Sequence, residues 1–317
     1  LGKPSEQGAG PAGQAPPLAF AEGSFDRASA LRQDPDAVRE LLLNGEPLVL
    51  CGTASQVLAE PDDPPRLLRL PLQGDAVKLA AAETPILLGI EDGQPLLAID
   101  LGDEVDLGDS NGDGGPGGRL LDLRRAGALM SPAESGLAAF IVALLGWHRR
   151  HRFCSNCGSP TEVQEAGIAR RCPSCGRIHF PRTDPCVITL VENGGRILLG
   201  SRSGWPDDRF SVIAGYVAAS ETPEAAVRRE VLEETGVQIT ALRYVTSQPW
   251  PFPRSLMLGF EAHGEGEPQP RDGELTVARW FTRDEVREAQ SDRGPVHLPD
   301  AVSIARWLID GWVERAS

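Results

Sequence analysis

The chain has 317 residues and a formal net charge of −14, with 41% hydrophobic positions. That length predicts about two domains with room for a small insert, and the acidity argues against general nucleic-acid coating or attachment to an anionic membrane. No apolar run approaches the ~18 residues a bilayer span needs. Residues 1–17, rich in Gly, Pro, Ala and Gln, lack the basic start and apolar core of a secretion signal, so a disordered tail on a cytoplasmic enzyme is expected.

Residues 18–131 read as a first, α+β domain. Short apolar runs at 47–51, 67–71, 85–90 and 94–100 predict strands. The Gly- and Asp-rich stretch 102–118 predicts an exposed loop. Its aspartates at 109–113 lack the terminal bidentate glutamate of a calcium loop. Residues 132–147 predict an apolar helix, the core of a connector over 132–151. Next come two cysteine pairs, Cys154 with Cys157 and Cys172 with Cys175, each followed by glycine. Two such knuckles complete a closed four-sulfur site for Zn2+, structural because no coordination position stays open. The competing readings are disulfides or a thioredoxin-like redox pair, which would need only one such motif. This ribbon covers 152–180. Cys51 and Cys186 lie in apolar runs and read as core. Seven arginines and two acids fall between Arg149 and Arg182. Two readings stand for them: a solvated ribbon face, or a surface that steers an anionic substrate such as an RNA end.

The second domain, 181–317, opens with strands at 184–191 and 196–200 that turn at Asn193, Gly194 and Gly195. A strand at 210–214 leads into a loop from Gly215 and then a helix. Thr222 is its N-cap, Pro223 its first residue, and Gly236 its left-handed stop. Val227, Val231 and Leu232 supply a side that can be buried. Glu230, Glu233 and Glu234 share one helical face. Like charges so placed repel, and a hard divalent cation, Mg2+ or Mn2+, relieves them. The plain alternative is a surface helix carrying a glutamate cluster. Strands at 239–245, 255–262 and 276–281 and a helix at 300–314 complete an α/β layered domain with a mixed sheet. Between Ser247 and Ser255, three prolines stiffen a loop that carries Trp250 and Phe252. These rings either stack on a purine or nicotinamide or pack into the core.

From Gly215 through Glu221, Arg229, Glu230, Glu233 and Glu234 to Gly236, the spacing matches the Nudix box at every fixed position. The chain resembles the Nudix hydrolases. The ribbon placed before the box, and the segment Gln248–Pro249–Trp250–Pro251–Phe252–Pro253–Arg254–Ser255 after it, resemble the NADH pyrophosphatase family. The resemblance is strong from about Leu87 onward and weak before. It implies an α/β/α Nudix sandwich and hydrolysis of NADH or NAD+ to AMP and nicotinamide mononucleotide. Removal of NAD caps from RNA and a homodimer are implied as well. The resemblance assigns Cys154, Cys157, Cys172 and Cys175 to zinc. Glu230, Glu233, Glu234 and Glu274 are assigned to catalytic Mg2+ or Mn2+. Phe180, Ala214, Tyr216, residues 248–255 and Ala305 are assigned to substrate. Glu221 and Arg229 become supporting groups, Arg229 by a bidentate ion pair. The chain departs from the family pattern at Arg254, where Gln is usual, and carries Phe180 and Tyr216 where Tyr and Phe are frequent. Arg254 is expected to add a cation beside the dinucleotide. Other readings are a broader Nudix hydrolase acting on ADP-ribose or dinucleoside polyphosphates, a non-catalytic nucleotide-sensing regulator, and an RNA-binding ribbon protein.

Overall fold

The computed structural model describes residues 17–21, 23, 25–73, 85–102, 118–291 and 294–315. Nearly all of the expected tail and the Asp-rich loop lie outside these residues. The first unit contains helix α1 (Pro35–Asn44) and strands β1 (Leu48–Gly52), β2 (Gln56–Ala59), β3 (Leu70–Pro71), β4 (Ile86–Glu91), β5 (Gln94–Asp100) and β6 (Arg119–Asp122). Helices α2 (Leu123–Leu129) and α3 (Pro132–Arg150) follow. The strand order is β4-β5-β1-β2-β6, with β3 on β1 and one parallel pair, β1 with β5. Alternation along β1 sends Leu50 toward α3 and Val49 and Cys51 to the opposite core layer. Cys51 is buried there, as its apolar run implied.

The strand expected at 67–71 shrinks to Leu70–Pro71. Leu67 makes an isolated antiparallel bridge to Ala59, while its own N–H turns away to the Glu134 carboxylate of α3 at 2.7 Å. Helix α1 and strands β2 and β6 escaped sequence reading. Helix α1 was nonetheless marked by Asp34, whose carboxylate accepts from the Asp36 and Ala37 N–H groups. Helix α3 runs three residues past its expected end, stopped at His151 after a basic last turn that suits the negative end of its dipole.

The ribbon is a three-stranded sheet, β7 (Glu162–Gln164), β8 (Ala169–Arg171) and β9 (Ile178–His179). It is latched to α3 by His148, whose Nε2–H donates to the Gly167 carbonyl at 2.7 Å while Nδ1 accepts from Arg170 at 2.9 Å. Burial pushes this imidazole down to about 4. Its folded value lies below the unfolded one, so its stabilisation is complete above about 6.5 and is lost as pH falls toward 4. Between pH 6.5 and 5 the loss is about 2 kcal/mol. In His148→Gln that part of the pH dependence should flatten in denaturant titrations. An unchanged slope would rule out His148 as its source.

The second sheet is built from β10 (Asp184–Asn193), β11 (Arg196–Arg202), β12 (Ile213–Tyr216), β13 (Gln238–Trp250), β14 (Ser255–Glu265) and β15 (Leu275–Thr282). Its order is β13-β14-β10-β11-β15, with β12 on β10 and one parallel pair, β10 with β14. The β10–β11 hairpin closes through Gly194 and Gly195, both at positive φ, as a two-residue turn requires. Helix α4 (Pro223–Thr235) covers one face through Val227 and Val231, which meet Val187 and Val191. Helices α5 (Arg283–Gln290) and α6 (Ile304–Glu314) cover the other, where Leu308 and Trp312 meet Ile188 and Leu190. The period of two along β10 thus feeds both layers. Cys186 sits in the second of them and is buried, as expected.

Three sequence expectations change here. Gly215 belongs to strand β12, which starts at Ile213 and runs to Tyr216, so the loop begins later. Strand β13 runs on through Trp250, paired with Ser255, so the proline-rich segment is a hairpin end and not a free loop. The last helix begins at Ile304, capped by Ser303, four residues later than expected. Helix α5 was missed despite its capping box between Thr282 and Glu285. No helix among the described residues is long and apolar enough to cross a membrane.

Candidate active site and zinc centre

Helix α4 starts and stops on the signals its sequence carries. Thr222 Oγ1 accepts from the Ala225 N–H, and Gly236 takes φ 74° at the C-cap. The helix projects Glu230, Glu233 and Glu234 from one side, and they differ in setting. Glu233 is half exposed, Glu230 mostly covered, and Glu234 buried with 2% exposure. Glu230 lies against Gly215. A β-carbon there would overlap the Glu230 carboxylate carbon and both its oxygens. We therefore expect Gly215→Ala to displace Glu230 and lower kcat by about 10²-fold, the scale of an ångström misplacement in an active site. The melting temperature should change little. Steady-state kinetics beside thermal unfolding checks this, and unchanged kcat would remove the steric role of Gly215.

Arg229 organises the outer carboxylates. Its Nε and Nη2 each donate to a different Glu221 oxygen at 2.8 Å, the bidentate pair expected. Nη1 donates to Glu230 at 2.8 Å and Glu233 at 3.1 Å, and Nη2 also reaches the Tyr216 carbonyl. Arg229 holds Glu221 down to about 2, so this brace stays charged throughout the neutral range. With every donor engaged, Arg229 aligns carboxylates.

Arg202, at the end of β11, binds the inner side of the site and was missed in the sequence. Its Nη2 donates to the Ala214 carbonyl at 3.2 Å and Glu274 at 3.1 Å, and lies 3.8 Å from Glu234. It therefore brings together Ala214, Glu234 and Glu274 from three separate elements. No local pattern signals this. The only hint is a charge closing a strand whose middle is apolar.

Glu234 is the test of whether a cation fits. Among the described residues its Oε1 has no hydrogen-bond partner. Burial, aided by Glu274 and Glu230, pushes its carboxyl up to about 8 despite the opposing Arg202. A buried carboxylate without a donor is costly unless a positive charge meets it. The Ala214 carbonyl, Glu234 and Glu274 all turn oxygens toward the Arg202 guanidinium, and oxygens of this kind are the donors that hard Mg2+ or Mn2+ takes.

The four ribbon cysteines form the one group of three or more His, Cys, Asp or Glu residues, among those described, whose ligand atoms all lie within 4.8 Å. The Cys154–Cys175 and Cys157–Cys172 sulfurs are 3.6 and 3.5 Å apart. A tetrahedral zinc with bonds of ~2.3 Å has sulfur edges of ~3.8 Å, so the donor set fits Zn2+. Gly158 and Gly176 take positive φ after each second cysteine.

The remaining sequence-selected residues divide into two groups. Tyr216 is exposed, and its hydroxyl lies 3.2 Å from Ser255 Oγ. Phe180 is exposed at the ribbon exit. Gln248 is fully buried: its amide donates to the Ala19 and Val302 carbonyls at 3.0 and 2.8 Å and accepts from the Ile304 N–H at 2.8 Å. That amide is committed to tying β13 to α6 and to the first unit. Ala305 is buried in the α6 layer. Trp250 and Phe252 pack edge-on at 4.9 Å, meet Phe20, and carry the Arg124 guanidinium over both rings. The core-packing alternative therefore describes much of their surface. Arg254 pairs with Asp184 at 2.7 Å, so the cation expected there already has a counter-ion. Pro249, Pro251, Arg254 and Ser255 border a cavity beside α3.

A mixed sheet with an acidic helix on one face, joined to a four-cysteine ribbon, defines a phosphate-hydrolase type of site beside a structural metal centre. Residues 181–299 match the family model of the NUDIX domain, 149–180 the NADH pyrophosphatase zinc ribbon domain, and 38–147 the NADH pyrophosphatase-like rudimentary NUDIX domain. The chain is 37% identical over 278 residues to the mitochondrial NAD(P)H pyrophosphatase NUDT13 of Mus musculus, covering 80% of this chain and 79% of that one. It is 44% identical over 202 residues to the NAD-capped RNA hydrolase NudC of Mycobacterium bovis, covering 61% of this chain and 64% of that one. The chain thus belongs to the NADH pyrophosphatase family of the Nudix hydrolases. It aligns with less than two thirds of the length of the mycobacterial relatives.

Proposed function

We propose that the chain hydrolyses the pyrophosphate bond of NAD(H), releasing AMP and nicotinamide mononucleotide, and that it removes NAD caps from RNA 5′ ends. The observation that carries this reading is the buried Glu234 carboxylate on the acidic helix, whose Oε1 accepts no hydrogen bond among the described residues and has Arg202 at 3.8 Å. The names of the murine and mycobacterial relatives support the substrate. Glu230, Glu234, Glu274 and the Ala214 carbonyl would hold Mg2+ or Mn2+, with Glu233 at the exposed side. When bound, such ions neutralise the pyrophosphate and lower the pKa of a bound water. Arg229 keeps Glu230 and Glu233 aligned. Gly215 leaves room for the Glu230 carboxylate. Arg202 balances Glu234 and Glu274 and lies where a pyrophosphate oxygen can accept from it. Tyr216 and Ser255 offer a ring face and a hydroxyl to the nicotinamide or adenine end, and Phe180 a second ring. In the reaction, water oxygen bonds to one phosphorus, the bridging P–O bond breaks, and two monophosphates leave.

A homodimer completes the proposal. The exposed Phe153 and Ile178 on the ribbon favour it, because a second copy would cover them. Sedimentation of the purified chain tests the assembly. The function is tested by assaying NADH, NAD+, ADP-ribose, diadenosine polyphosphate and NAD-capped RNA side by side with Mg2+ or Mn2+ and identifying products. AMP with nicotinamide mononucleotide, and 5′-monophosphate RNA, are expected. Faster cleavage of ADP-ribose or dinucleoside polyphosphates would replace this reading with the broader hydrolase. Tight RNA binding without turnover would support the binding protein.

A further inference from the structure

Residues 266–274 join β14 to β15 and carry Glu274 to the carboxylate centre. Burial does not hold this loop in place: only Pro268 is partly covered, and its other residues are exposed. Charge works against its position. Glu274 and Asp272 both act on Glu234 as like charges and help to raise its carboxyl. The Glu274 side chain is 62% exposed and meets Arg202 at 3.1 Å. An exposed loop pressed toward like charge needs some other anchor to keep its place.

That anchor is the end of α4. The last four carbonyls of a helix have no partner within it. The loop takes two of them. The Gln269 N–H donates to the Thr235 carbonyl at 2.8 Å, and the Arg271 N–H donates to the Glu234 carbonyl at 3.2 Å. Local sequence selects these two donors. Pro268 and Pro270 have no N–H to offer, and a residue ahead of a proline is steered to extended backbone, so Gln269 and Arg271 present the alternate amides of a stiff segment.

The Arg271 side chain lies over Gly236. A β-carbon there would stand 2.6, 2.7 and 2.8 Å from its Nε, Cζ and Nη2. The guanidinium thus meets the negative end of the α4 dipole. Gly236 serves twice, as the left-handed stop of the helix and as the seat of this cation. Beyond Arg271 the backbone is fixed in two further steps. Asp272 Oδ1 accepts the Glu274 N–H at 2.9 Å, and the Glu274 carbonyl accepts the Ser203 N–H at 3.0 Å. The register of Glu274 is therefore set from the carbonyl of Glu234 itself.

We propose that Arg271 is a positioning residue for the metal centre: docked on Gly236, it holds the loop so that Glu274 faces Glu234. This rests on the reading of Glu234 and Glu274 as carboxylates that hold the catalytic ion, and it names what sets their spacing. Arg271 acts through Glu274 and not on the substrate.

The test compares Arg271→Ala, Arg271→Lys and Gly236→Asn in the full, zinc-loaded chain. Asparagine accepts the left-handed conformation, so Gly236→Asn keeps the helix stop and fills the seat. Mn2+ affinity is read by electron paramagnetic resonance. Arg271→Ala should weaken Mn2+ about tenfold, the scale of losing a group that orients metal ligands. Charge alone predicts the opposite sign, because removing a nearby cation favours Mn2+. Arg271→Lys should recover most of the loss. Gly236→Asn should weaken Mn2+ in the parent and add little in Arg271→Ala, since both changes undo one contact. In the metal-free chain, hydrogen exchange over residues 266–274 should quicken in Arg271→Ala while zinc content and melting temperature hold. Unchanged or tighter Mn2+ binding in Arg271→Ala, or additive losses in the double variant, overturns the proposal. Glu274→Gln separates this from failure of the reading beneath it. If Glu274→Gln weakens Mn2+ and Arg271→Ala does not, only the positioning role falls. If Glu274→Gln leaves Mn2+ binding unchanged, Glu274 holds no ion and the proposal falls with that reading.

Discussion

Replacing Glu234 with Gln is expected to lower turnover of NADH by about 10³-fold, the scale of removing one preorganised electrostatic group from an active site. The substitution keeps the shape of the side chain and removes the charge that a divalent ion would meet. Mn2+ affinity, read by electron paramagnetic resonance, should fall in parallel. The same change should stabilise the protein when no catalytic ion is bound. Burial raises the Glu234 carboxyl to about 8, above its unfolded value of 4.5. A raised carboxyl contributes stability that is complete below about 4.5 and is lost as pH rises through about 8. At pH 7, metal-free Glu234→Gln should therefore exceed the parent by on the order of 2–3 kcal/mol, with no difference at pH 4. Added Mg2+ should stabilise the parent and hardly affect the variant. Turnover within tenfold of the parent would refute the role given to Glu234.

Cys172→Ser should have the largest effect on structure. Cys172 is fully buried at the end of β8, and its N–H and carbonyl close the second knuckle through Arg177 and Gly176. Zinc binding in small ribbons is worth on the order of 10 kcal/mol, comparable with the whole stability of a domain. Loss of one thiolate should empty the site and unfold residues 152–180. The His148–Gly167 latch goes with it, uncovering Trp147 at the end of α3. At ~2–4 °C per kcal/mol, the melting temperature should drop by about 10 °C or more. Elemental analysis should fall from one zinc per chain to almost none, and limited proteolysis should cut within the ribbon. Full zinc content with an unchanged melting temperature would contradict this. Below the new transition, metal-dependent hydrolysis should survive in part, because the glutamates stand on a different sheet.

The legible parts of the molecule were those that depend on neighbours in the chain. Thr222, Pro223 and Gly236 bounded α4 because capping acts within one turn. Gly194 and Gly195 marked a hairpin because positive φ is a property of single residues. The cysteine knuckles were visible because two thiolates three residues apart already share a metal. Helix α5 could have been read from Thr282 and Glu285. Strands β2 and β6 carry no comparable local mark.

Sequence by itself determined the acidic face of α4, the four-sulfur ribbon, the chain order of the units and the family they imply. These rest on spacings of a few residues, where covalent geometry and helical or turn periodicity leave little choice. Only the tertiary structure decided that Arg202 joins Ala214, Glu234 and Glu274, and that the Gln248 amide faces inward. It also decided that Trp250 rests against Phe20, and that Arg271 docks on Gly236. Each of these unites residues tens to hundreds of positions apart. Their proximity follows from which sheet faces pack together, and that is settled by the burial of whole layers, not by any local pattern.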